Sequence, residues 1–165
     1  MNITFAKTKI MYKGLLDLHS TLRWVILILL LVNIVRHLSS VNKPFTAMDK
    51  KLGLWLMIAA HTTLLLGLYQ YFTGGSGYQY IRQYGMETVM QNSVYRFWAI
   101  EHITGMIIAI ILITVGRSVS KKSYSDDKKH KRSAMLFIAA LLIILAVVPW
   151  PGREEGIGRA LFRGM

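Results

Sequence analysis

Three histidines lie inside stretches of this chain that are otherwise nearly pure hydrocarbon. His19 sits in LLDLHSTLRWVILILLLV, His61 in LWLMIAAHTTLLLGLY and His102 in FWAIEHITGMIIAIILITV. A titratable group inside a membrane helix is costly to bury, needs a partner, and by default marks a functional site. An imidazole has few partners to choose from: a metal ion, a heme iron, a carboxylate or a proton pathway. Charged companions stand close by. Arg23 follows His19 by one helical turn and shares its face. Glu101 precedes His102, and Arg96 stands at the mouth of the same stretch. A buried guanidinium requires an anion. Glu101 and Asp17 are the protein's own candidates, a heme propionate is the cofactor's, and both choices satisfy the same rule.

The elements that must position these groups follow from composition. The chain has 165 residues, 53% of them apolar, and the apolar residues fall in four blocks. Crossing the hydrocarbon takes about 20 mostly apolar residues. The blocks predict membrane helices over residues 15–37, 52–72, 97–115 and 133–150. The expected fold is all-α: one domain over residues 1–165, an integral membrane four-helix up-down bundle with a longer outer loop between the second and third helices. On these bounds His19 and His102 lie level, roughly 6–7 Å below the outer end of their helices, and His61 is deeper at roughly 16 Å. Earlier helix starts would bring the three together. The first and third helices stand diagonally across such a bundle, where cofactor sites are built from facing side chains. Two level histidines there could hold one heme iron from both faces, with Gly105 and Gly67 leaving room beside the ring.

Charge fixes orientation. Helix ends included, loops 38–51 and 118–132 hold eleven Lys and Arg, against eight on the side of the termini and loop 73–96. The positive-inside rule therefore puts both termini outside the cytoplasm. The net charge of +12 does not argue for nucleic acid, because no basic groove or motif accompanies it. The absence of cysteine removes iron–sulfur ligation and covalent c-type heme. Lys7, Lys9 and Lys13 precede a block too long for a signal peptide, which reads as a retained helix. His37 and His130 fall beside basic loops and read as solvated, without a role. Met86 to Gln91 could form a short interfacial helix. Tyr78, Tyr80 and Tyr84 suit an aromatic anchor. The segment VPWPGREEGIGRALFRGM reads as a surface piece for lipid phosphates, or as one that folds back so that an arginine meets a propionate.

LHSTLRW, KPFTAMDKKLG leading to His61, the Glu101–His102 pair, ITVGRS and PWPGR resemble small bacterial four-helix membrane proteins catalogued as cytochrome b-like. The resemblance spans nearly the whole chain. It implies a b-type heme and electron transfer at a membrane, here a bacterial inner membrane, and supplies no reaction. The first reading is a membrane cytochrome with one non-covalent heme b, passing electrons between a quinol or quinone and a partner. The positions it carries over are His19, Arg23, His61, Glu101 and His102. Three intramembrane histidines make an odd number, whereas four-helix b-type cytochromes often carry enough for two hemes. One heme on His19 and His102 with His61 spare is the simplest count. His61 with His102 is the other, leaving His19 near a propionate or a quinone headgroup. Two further readings stand beside the cytochrome. In one, the chain is a non-enzymatic subunit or assembly factor of a larger membrane complex, its polar residues serving as glue between helices. In the other, the three histidines and Glu101 hold a divalent metal.

Overall fold

The computed structural model describes the backbone of residues 3–161 and the side chains of residues 10–161. The side chains of Lys7, Lys9, Phe162 and Arg163 lie outside that range. Among the described residues the fold has five helices: α1 (Ile3–Ser39), α2 (Ala47–Thr73), α3 (Tyr78–Gln91), α4 (Ser93–Lys121) and α5 (Asp126–Val147). All but α3 are long and apolar enough to cross a bilayer. Large apolar side chains such as Ile28, Leu65, Ile111 and Leu142 stand on their outward faces. This is a multi-pass membrane bundle. One end carries the start of α1, α3 and the segment after Val147 (the terminal end). The other carries the connections before α2 and α5 (the loop end).

The helices run further than hydropathy alone predicts, because polar residues continue a helix past the hydrocarbon. The α2 start is set by a capping box in which the Thr46 side chain accepts from the backbone of Asp49 and the Asp49 side chain accepts from that of Thr46. This closes two orphan donors. The α5 helix begins at Asp126, inside the basic run, with Asp126 and Asp127 in its first turn where carboxylates favour the helix dipole. It stops at Val147 rather than Trp150, because Pro149 disfavours helical backbone at the residue before it. The expected loop between the second and third spans is mostly helix: α3 kinks at Gly85, which takes a left-handed φ of 76°.

Side-to-side packing follows an up-down bundle. α1 and α4 each pack on α2 and α5 and face one another across the diagonal. The core between them holds Leu30, Leu56, Ile113 and Phe137. Without water to drive apolar helices together, close approach and polar bonds hold them. Gly116 lies so close to Phe137 that an added Cβ would sit 2.7 Å from its ring. The Ser133 hydroxyl donates to the Gly116 carbonyl at 3.1 Å, joining α5 to α4. Buried Asn33 donates across to the Leu52 carbonyl, and Gln70 donates to that of Leu15, joining α1 to α2.

Candidate cofactor cavity at the terminal end

His19 and His102 line one cavity of about 250 Å³ at the terminal end. They stand on α1 and α4, the diagonal helices of the bundle. Spacings of three and four residues put Leu16, His19, Arg23 and Ile26 on one face of α1. On α4 a turn of π-helix, Phe97–Glu101, runs directly into His102. Single π turns are frequent at functional sites. The extra residue rotates the remainder of α4 by about 100°, so Trp98 and His102 reach the cavity while Glu101 faces outward.

The His102 ring is oriented from behind. Its Nδ1 lies 2.8 Å from the Val147 carbonyl, which only accepts, so Nδ1 carries the proton and Nε2 keeps its lone pair. Ligating histidines are held in this way. On the opposite wall the buried Nδ1 of His19 has no hydrogen-bond partner. Gly67 makes room for this ring: a Cβ there would lie 3.1 Å from His19 Cε1. Gly105 does something else. Its missing Cβ admits Val147 at 2.5 Å, so it serves contact between α4 and α5 rather than a cofactor ring.

Arg23 is held but not neutralised. It donates to the Leu161 carbonyl at 2.6 Å and lies over Trp24 and Trp150 at 5.3 and 5.8 Å. Its Nε is buried without a partner. Arg159 joins the same wall, its guanidinium 4.8 Å from the Trp98 ring. No carboxylate lines the cavity among the described residues. Two guanidiniums with no carboxylate in the lining make this wall of the cavity positive.

Two expected site residues are elsewhere. His61 is on the outward face of α2, in line with Ile58, Leu65 and Phe72. Its Nδ1 turns back to the Met57 carbonyl at 2.9 Å. It therefore joins neither His19 nor His102. Glu101 pairs with Arg96 at 2.7 Å on the surface and does not meet Arg23, which forms no ion pair with Asp17 either among the described residues. This removes the reading in which all three histidines and Glu101 share one metal. Of the two readings of the C-terminal piece, residues 148–161 follow the fold-back: they form turns and lie as a strap over the cavity. Trp24 and Trp98 donate to the Leu161 and Gly156 carbonyls, and Ile157 is buried beneath it. Alternating arginines marked this piece in the sequence, but that pattern suits a lipid surface as well as an inward fold. Trp98, Thr63 and Gln70 carry no such mark, since nothing separates an inward Trp from an interfacial one by type.

Against protein-family models, curated proteins and solved structures, the chain has no match.

The loop end holds a second histidine pair, contrary to the expectation of solvated side chains. His37 and His130 are 2% and 0% exposed, with Nδ1 atoms 2.9 Å apart. Phe45 and Phe137 stack on His37 at 5.5 and 5.7 Å. The α1 terminus and the basic α5 start each look like helix ends facing water; tertiary packing under Phe45 buries both.

Proposed function

We propose that this chain is a membrane b-type cytochrome holding one heme b between His19 and His102. It would pass electrons between a quinol or quinone and a partner at the membrane. The carrying observation is that two imidazoles on diagonal helices face one cavity, one with Nε2 freed by the Val147 carbonyl and the other with an orphan Nδ1. The donors fit the group: neutral imidazoles ligate heme iron, and Arg23 and Arg159 supply cations for propionates without a competing carboxylate. The volume of about 250 Å³ is below the roughly 300–1,000 Å³ of ordinary ligand pockets. The wall that would have to yield is the strap, which is irregular and joined to α1 and α4 by the bonds from Arg23, Trp24 and Trp98 and by side-chain contacts of Ile157, Arg153 and Arg159.

Bound there, heme supplies reversible one-electron chemistry. The residues of the chain set its conditions. Val147 fixes the His102 ring and tautomer. Arg23 and Arg159 place positive charge at the outer rim, and Ile103, Met106 and Ile110 exclude water below. The positive-inside bias of the loops supports a cytoplasmic loop end, with the cavity toward the outer side of a bacterial inner membrane.

The test is an optical spectrum of detergent-purified protein, oxidised and then dithionite-reduced. A Soret band with sharp reduced α and β bands is expected. H19A and H102A should each abolish that low-spin spectrum. A protein still colourless after heme supply during expression would overturn the proposal and favour the subunit or assembly-factor reading.

A further inference from the structure

We infer that His37, His130 and Asp49 form a site for a divalent transition-metal ion of the zinc class, separate from the cavity at the terminal end. The three come from different helices, α1, α5 and α2, and all are buried. One ligand atom from each lies within 4.8 Å of the others. Two imidazoles and one carboxylate are a nitrogen-rich donor set that suits zinc and its neighbours better than magnesium or calcium.

Between two neutral rings one Nδ1 donates and the other accepts, which satisfies that contact, and His130 Nε2 is buried without a partner with or without an ion. What points to an ion is the third donor: the buried Asp49 carboxylate offers an atom within 4.8 Å of a nitrogen of each ring. The ring contacts at 4.8 to 5.7 Å from Phe45 and Phe137 give the nitrogens little freedom to turn elsewhere.

Binding requires small changes. Tetrahedral Zn–N bonds set two ligating nitrogens about 3.3 Å apart, so the 2.9 Å contact opens slightly. The ion replaces the proton between the rings, and each neutral ring then carries its single proton on Nε2. Asp49 Oδ1 must leave Arg36, whose side chain is 36% exposed and free to turn to solvent. Asp49 Oδ2 keeps its Thr46 bonds at 2.6 and 2.7 Å. The fourth position falls to water or to the Thr46 hydroxyl. The ion would tie together the loop-end termini of three helices. A heme has no room here, because the two rings touch.

The test uses the full chain in detergent, stripped with chelator, incubated with Zn²⁺ alone and passed through gel filtration before metal counting. About one zinc per chain is expected, with at least tenfold weaker binding in H37Q and H130Q and no change in H19A. Should H130Q fail to fold, D49N decides: zinc should raise the unfolding midpoint of the unaltered chain and not that of D49N. Less than a tenth of a zinc per chain, equal retention by H37Q and H130Q, or equal protection of D49N would each overturn the site.

Discussion

At the terminal end, His19 and His102 face a cavity of about 250 Å³; at the loop end, His37 and His130 touch at 2.9 Å between phenylalanines. Both pairs sit on membrane-spanning helices, and both leave one nitrogen without a partner. They differ in what surrounds them. The terminal pair borders a cavity, two guanidiniums and an irregular strap, and carries little of the packing. The loop pair is part of the packing, and its members support one another. Histidine thus lines open space at one end and is a packed part of the fold at the other, and stability in the absence of any ligand should separate the two.

The largest expected effect is at the loop end. H130A removes a ring packed on Phe45, strips His37 of its partner and opens a void. On chelator-treated protein this should cost about 2–4 kcal/mol. H19A, on a cavity wall, should cost under about 1 kcal/mol in heme-free protein and, in protein expressed with heme, should abolish the heme spectrum. Denaturant unfolding of both variants in one detergent checks the contrast. Equal losses would mean that the terminal cavity is as tightly packed as the loop end.

The next effect couples the two properties. In G105A the new Cβ would meet Val147 Cγ1 at 2.5 Å, and overpacking of this kind costs about 1–3 kcal/mol. The push falls on the residue whose carbonyl holds His102 Nδ1. We expect lowered stability together with weakened heme retention. A stability loss with an unchanged spectrum would show that the Val147 bond does not position the ligand.

The four spans were legible because runs of apolar residues must cross hydrocarbon, and the polar groups within them marked the terminal site. His19, His102 and Arg23 meet there. Two other features were not legible, for related reasons. A helix in lipid is apolar on its outward face as well as its inward one, so period alone does not say which side of α2 carries His61. Thr63, Gln70 and Tyr71 face the cavity, but His61 and Thr62 are exposed on the other side, so polar residues fall on both faces and do not choose between them. Near the ends of helices the ambiguity runs the opposite way. His37 and His130 lie among Arg36, Lys129 and Lys131, and their neighbours look solvated. Burial there depends on Phe45 from the connecting turn, a contact between distant parts of the chain that local composition does not record.

The smallest expected effect tests this reading of α2. The His61 imidazole faces outward and bonds only its own helix, at Met57. Replacing it with Ala removes no bond between helices and leaves no interior void. H61A should therefore change stability by no more than about 0.5 kcal/mol and leave the heme bands in place. Loss of the spectrum in H61A would reverse the assignment: α2 would have to turn until His61 met His102, and the Gly67 contact with His19 would be lost. Loss of a partner subunit, with the spectrum intact, would instead identify the outward stripe of α2 as an interface.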